Sequence, residues 1–264
     1  MKTSVKVIII IAVLVSVTLA ITLPIVLCKK SDDGDNDNKG TVNQYIMHRG
    51  GRHGNYYENT IEAFEYAITT DCYGIETDVW KTKDGHFVCT HDKEVSLTGF
   101  GYVDVTKENY ETIKNYNLRD SGKPIVLLDD YLKICKKGNK VAVIEIKDVF
   151  DTTEAQSFLN KIDECYSRDK VCIVSFKKMS LDSCRELDGE LDYYFCGLTT
   201  SIFYQAITEG YNVGLFVGGS VSDENLKAVH DAGLKLMFGT VNNKKEAEDL
   251  IKMGVDLVTT DTYF

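Results

Sequence analysis

Two histidines, His48 in Met47-His48-Arg49-Gly50 and His91 in Thr90-His91-Asp92, bracket a carboxylate pair, Glu76 and Asp78, in Gly74-Ile75-Glu76-Thr77-Asp78-Val79. Residues i and i+2 of a strand point to one face, so Glu76 and Asp78 project together and repel. A divalent cation with oxygen ligands relieves that repulsion. Two imidazoles that exchange protons near neutral pH would flank it. Cleaving a phosphodiester needs a base for the attacking oxygen and an acid for the leaving alkoxide. The set therefore reads as metal-assisted acid–base cleavage of a phosphate ester. His48 and His91 are the expected catalytic pair, with the order of acid and base left open. Glu145 adds a third carboxylate inside the apolar run Val143-Ile144-Glu145-Ile146-Lys147, where a glutamate is costly unless paired or coordinated. Glu76, Asp78 and Glu145 are the expected metal ligands, an all-oxygen set that suits Mg²⁺ or Ca²⁺ over zinc. Arg49, whose planar fork fits phosphate oxygens, and Lys147, on the same strand face as Glu145, are expected to hold the substrate phosphate. The alternative for Lys147 is a salt bridge to the carboxylates.

Other polar residues take plainer readings. Asn59 is expected to cap the first helix with Glu62 as its box partner three residues on, and Glu58 is read as structural. His230 lies near a helix C-terminus, where a histidine suits the dipole. His53 falls in the loop after the first strand.

Positioning this set requires a scaffold. From Gln44 onward, short apolar runs alternate with amphipathic ones. The runs are Tyr45–His48, Gly74–Val79, Val141–Lys147, Val171–Phe176, Tyr193–Leu198, Val213–Val217, Leu234–Phe238 and Asp256–Thr260. Their near-continuous apolarity suits parallel strands buried on both faces. With the helical patterns between them they predict an α/β fold, a (β/α)8 TIM barrel. Phe87–Thr90 follows the second strand too closely for a parallel crossover, so it is expected to return as a hairpin turning near Asp84-Gly85. A longer excursion, Lys93 to Lys140, is expected to hold a short helix around Lys107–Tyr116 and a second around Tyr131–Lys137. The sequence reads to Phe264, just after the eighth run, so the last helix of a full barrel is expected to be missing. Active sites of such barrels form at the C-terminal strand ends. His48, the Glu76/Asp78 pair, Glu145 with Lys147, Ser175, Thr240 and Asp261 all fall at those ends.

The motifs His48-Arg49-Gly50, Glu58-Asn59-Thr60 with Ala63-Phe64 and Ala67, Glu76-x-Asp78-Val79, Thr82-Lys83-Asp84-Gly85 and His91-Asp92 together resemble the glycerophosphodiester phosphodiesterase family. The match spans about 45 residues and continues more thinly to the C-terminus. The resemblance implies metal-dependent hydrolysis of glycerophosphodiesters to glycerol 3-phosphate and an alcohol. It also implies that the carboxylate set, carried over to Glu76, Asp78 and Glu145, binds the divalent cation. Phe238 stands where the family usually has tryptophan, and the sole tryptophan, Trp80, follows the carboxylate pair; these departures bear on the alcohol pocket. An alternative is a lysophospholipase D-type enzyme acting on lysophospholipids at a membrane, with Tyr56, Tyr57, Phe100 and Tyr102 as an acyl-contacting lip. A third reading, a non-catalytic phosphodiester-binding barrel, sits poorly with an intact histidine pair and three carboxylates.

The 264 residues carry a formal charge of −10, which argues against a nucleic-acid surface. Val7 to Leu27 is largely apolar. As a helix it would be about 31 Å long at 1.5 Å per residue, close to a bilayer core of about 30 Å. Residues 1–28 are therefore expected to be a transmembrane signal-anchor, or a cleaved signal peptide. Residues 29–43 form a polar linker, and 44–264 the barrel. The expected placement is single-pass in a membrane with the barrel on the extracellular or lumenal side, or secreted. Beyond Cys28, seven cysteines remain without any CxxC pair. That pattern speaks against a zinc site, and the odd number leaves at least one thiol free.

Overall fold

The computed structural model describes residues 43–52, 56–197, 199–215 and 221–264. Eight parallel strands close into a barrel: β1 Tyr45–Met47, β2 Gly74–Lys81, β7 Val141–Ile146, β8 Val171–Ser175, β9 Asp192–Cys196, β10 Asn212–Leu215, β11 Leu236–Gly239 and β12 Leu257–Thr260. Closure comes from β1, which pairs in parallel with both β12 and β2. The crossovers carry α1 Ile61–Ala67, α3 Leu128–Gly138, α4 Thr152–Cys165, α5 Lys178–Leu187, α6 Thr200–Glu209, α7 Asp223–Asp231 and α8 Lys244–Met253. Each barrel strand falls on one of the apolar runs.

Alternation along the strands separates two cores. Ile46, Val143, Cys172, Val174, Tyr194, Cys196, Met237 and Leu257 fill one buried cluster. Their strand neighbours Met47, Ile144, Ile173, Tyr193, Phe195, Leu236 and Val258 join the larger cluster with the helices. Val143 belongs to the first set, so Glu145, two residues on, shares its inward face. The parallel register pairs Glu76 with Val143 and Asp78 with Glu145. The three carboxylates thus occupy inward positions near the C-terminal ends of adjacent strands.

The excursion between β2 and α3 contains more sheet than its sequence suggested. β3 Phe87–Cys89 returns antiparallel to β2, and β6 Val126–Leu127 runs antiparallel to β3. Between them β4 Glu94–Leu97 and β5 Gly101–Asp104 form a separate hairpin, followed by α2 Tyr110–Ile113. Val88, Val95, Leu97, Val103, Val105, Ile113 and Ile125 give this layer its own small core. The β2–β3 turn needs Gly85, whose φ of 87° is open to glycine but not to most residues. Asp84 fixes the turn: its carboxylate accepts from the Thr82 hydroxyl at 2.6 Å and from the Tyr110 N–H at 2.9 Å.

The expected membrane-spanning helix is corrected here. Among the described residues no helix is long and apolar enough to cross a membrane. The longest, α4, has 14 residues and one apolar face. Residues 1–28 themselves lie outside the described residues, and the single-pass placement and membrane partner are withdrawn. The seven described cysteines are all buried and free. After β12, Phe264 packs edge-on against Tyr45 with ring centroids 5.6 Å apart, and the Asn43 amide donates to the Tyr263 hydroxyl at 3.2 Å.

Candidate active site and metal centre

Carboxylate oxygens of Glu76, Asp78 and Glu145 lie within 4.8 Å of one another, and all three residues are buried. Burial and the neighbouring charge of Asp78 push Glu76 up to about 8. Glu145 is raised mainly by burial, with Lys147 opposing. Asp78 goes the other way: burial raises it, but Lys147 and Arg49 together hold it below the ordinary carboxylate range. Lys147 Nζ lies 3.3 Å from Asp78 Oδ1 and 3.0 Å from Glu145 Oε1, so the salt-bridge alternative is realised. Even so, Asp78 Oδ1 is buried without a hydrogen-bond partner. Three converging carboxylates, one unsatisfied oxygen and an unrelieved repulsion at Glu76 fit a divalent cation with oxygen ligands.

The residues after β1 turn sharply. His48–Gly50 makes one short 3-10 turn in which Arg49 has φ 53° and Gly50 φ 85°. A Cβ on Gly50 would come within 2.9 Å of both Ala63 Cβ and Phe64 Cδ1, so only glycine lets this loop dock on α1. The turn aims the Arg49 N–H at Glu76 Oε2, 2.8 Å away. Arg49 Nη1 donates to Glu58 Oε1 at 2.6 Å, and its Nε lies 3.1 Å from Asp78 Oδ2. Glu58 also binds Arg52 Nη2 at 2.7 Å.

Asn59 is not the helix cap. That role falls to Thr60, whose hydroxyl accepts from the Ala63 N–H at 3.3 Å, while Glu62 pairs with Lys123. Asn59 instead sits at φ 54° and turns its buried amide into the site. It donates to Asp78 Oδ2 at 3.0 Å and accepts from the Thr77 hydroxyl at 2.7 Å. Sequence reasoning missed this because asparagine and threonine are both good caps, asparagine the better of the two; the trace it overlooked was a second capping residue directly following.

His48 is largely buried, its Nδ1 2.8 Å from Asp261 Oδ1. Burial lowers its pKa, but the Asp261 hydrogen bond and the charge of Glu76 outweigh that and hold it above the ordinary histidine value. Asp261, noted in the sequence only as a rim residue, is gripped from behind. Asn242 Nδ2 donates to its Oδ2 at 2.8 Å, and its own N–H donates to Asn242 Oδ1 at 2.8 Å. His91 follows β3, where the Thr90 N–H donates to the Asp78 carbonyl at 3.0 Å. Its Nδ1 lies 2.8 Å from Asp92 Oδ1, and Trp80 Nε1 donates to its carbonyl at 3.2 Å. The charge of His91 contributes to lowering Asp78. Ser175 spends its hydroxyl on the Ile146 carbonyl at 2.6 Å, and His53 lies outside the described residues.

A cleft of about 1210 Å³ opens from Glu58, Asn59 and His91 across the excursion. Tyr56, Tyr57, Tyr102 and Leu118 share its walls with Glu94, Arg119 and Asp120. Phe100 is not among its lining residues and packs against Tyr116 with ring centroids 4.8 Å apart and planes tilted by 58°.

The sequence model of the family described as "Glycerophosphoryl diester phosphodiesterase family" matches residues 48–263. A glycerophosphodiester phosphodiesterase of Caldanaerobacter subterraneus subsp. tengcongensis is 32% identical over 227 residues, covering 82% of this chain and 93% of that protein. Another, of Bacillus altitudinis, is 28% identical over 83% of this chain and 95% of that one. In fold, the chain is similar to an Oleispira antarctica phosphodiesterase solved in complex with the product sn-glycerol-3-phosphate. The TM-score is 0.74 at 19% identity, over 83% of this chain and 93% of that one.

Proposed function

The chain belongs to the glycerophosphoryl diester phosphodiesterase family, and from that premise we infer that it hydrolyses glycerophosphodiesters to glycerol 3-phosphate and an alcohol. The observation that carries the reading is the convergence of Glu76, Asp78 and Glu145 beneath His48 and beside the strand that delivers His91. One imidazole of the pair takes the proton from the attacking oxygen, and the other gives a proton to the leaving alkoxide. Glu76, Asp78 and Glu145 would hold the cation, Mg²⁺ or Ca²⁺. When bound, that ion neutralises phosphate charge and stabilises the charge that develops in the transition state. Arg49 uses Nε and Nη1 on Asp78 and Glu58, leaving Nη2 for a phosphate oxygen. Lys147, paired with Asp78 and Glu145 at the edge of the carboxylate cluster, would add positive charge for the substrate phosphate. The alcohol half of the substrate extends into the cleft beside His91. Its charged and hydroxyl-bearing walls suit a hydrophilic alcohol more than an acyl chain.

The test is release of glycerol 3-phosphate from glycerophosphocholine by the full chain, with and without chelator, beside His91→Ala. Release that stops with chelator and falls at least about 10²-fold in His91→Ala, the usual scale of acid–base catalysis, supports the assignment. Turnover indifferent to both would overturn it. Choline release from lysophosphatidylcholine alone would move the substrate class to lysophospholipids.

A further inference from the structure

An imidazole can act at one nitrogen only if the other is held, because the bond made by the second nitrogen sets the tautomer and the plane of the ring. His48 Nδ1 is held by Asp261 Oδ1 at 2.8 Å, across a sequence separation of 213 residues. The carboxylate is itself fixed. Its second oxygen accepts from Asn242 Nδ2, its N–H donates to Asn242 Oδ1, and its carbonyl accepts from the Arg52 N–H at 2.5 Å. His91 has no such support: its partner Asp92 is the next residue and mostly exposed.

We propose that Asp261, buttressed by Asn242, is the positioning residue of His48, fixing the Nδ1–H tautomer and presenting Nε2 to the phosphodiester. The inference rests on the reading of His48 as one of the acid–base pair. In the reaction the Nδ1 proton stays on the ring, donated to Asp261. The proton exchanged with substrate oxygen travels through Nε2, and Asp261 stabilises the imidazolium formed when both nitrogens are protonated. The bland alternative is that the pair staples β12 to β1. That seam is already made by three register pairs, Tyr45 with Val258, Ile46 with Thr259 and Met47 with Thr260, and by the Tyr45–Phe264 ring contact. It does not need an ion pair at its upper end.

The experiment compares the full-length wild type with Asp261→Asn, Asn242→Ala and His48→Ala at saturating Mg²⁺. It measures kcat and KM for glycerophosphocholine, thermal stability, and the histidine ¹⁵N shifts that report tautomer. Asp261→Asn should lower kcat by roughly 10²-fold or more with KM little changed. The His48 ¹⁵N signals should leave the Nδ1–H pattern, and Asp261→Glu should recover part of the loss. Asn242→Ala keeps the His48 contact but frees the carboxylate behind it, so it should cost less and needs no refolding of the seam. Wild-type kcat in Asp261→Asn, with activity lost in His48→Ala, would overturn the proposal alone. So would a loss that tracks a lowered melting temperature while the His48 tautomer stays unchanged. Wild-type activity in His48→Ala would instead remove the acid–base reading beneath it.

Discussion

A carboxylate that stays ionised in a protein interior must be gripped, and Asp78 shows how many hands that takes. Lys147, Arg49 and the Asn59 amide all reach it, whereas Glu76 has one backbone N–H and is pushed up to about 8. Partners that orient a metal-binding carboxylate typically contribute 10–100-fold in metal affinity. Asn59→Ala should therefore weaken Mg²⁺ activation by about that factor, read as the metal concentration giving half-maximal rate. Unchanged activation would show that the Asn59–Asp78 bond has no bearing on the ion. The chemistry-bearing types were legible because His48, His91 and the Glu76/Asp78 pair announce themselves by type and spacing. Asn59 and Asp261 were not, because an asparagine before a helix and an aspartate at a chain end look ordinary until folding sets them against Asp78 and His48.

The elements were legible to different degrees for a physical reason. Barrel strands are buried on both faces and write continuous apolar runs. The β4–β5 hairpin offers only Val95, Leu97 and Val103 to a small core, too faint a pattern to stand out among turns. That excursion is pinned at Asp84, and its acid sensitivity follows. Burial is the largest single influence on Asp84 and raises it, but hydrogen bonds from Thr82, the Tyr110 N–H and His86 together outweigh it and take it down to about 2 from 3.8. A depressed carboxylate contributes stability that is whole above the unfolded value and is lost as pH falls through the folded one. This part of the stability should therefore fade between about pH 4 and pH 2. Asp84→Ala should lower the melting temperature at pH 7 and flatten the acid limb of a stability profile; an unchanged limb would refute the link. At the other end of the site, Gly50→Ala meets Ala63 and Phe64 at 2.9 Å with φ 85°. It should cost about 1–3 kcal/mol by denaturant unfolding.

At the scale of the whole molecule, the site is a reservoir of repulsion that a cation discharges. A ligand bound only by the folded state adds about 2.7 kcal/mol at a hundredfold excess over Kd, or roughly 5–10 °C for a chain of this size. Mg²⁺ or Ca²⁺ should raise the melting temperature by that order and chelator should reverse it. The gain should be larger at pH 8 than at pH 5.5, since burial and the charge of Asp78 push Glu76 up to about 8 and a cation must compete with its proton below that. An equal gain at both pH values would count against Glu76 as a ligand. The barrel also closes through a strand of three residues, β1, wedged between the second strand and the last. His48 stands at its end, and the carboxylate that holds its ring is residue 261. A ribosome adding about 5–20 residues per second spends on the order of ten to forty seconds between making the one and making the other. From the making of Glu145 onward the nascent chain carries all three carboxylates and both histidines but no closed barrel. The assembled site, with His48 held by Asp261, comes together only once β12 has been made.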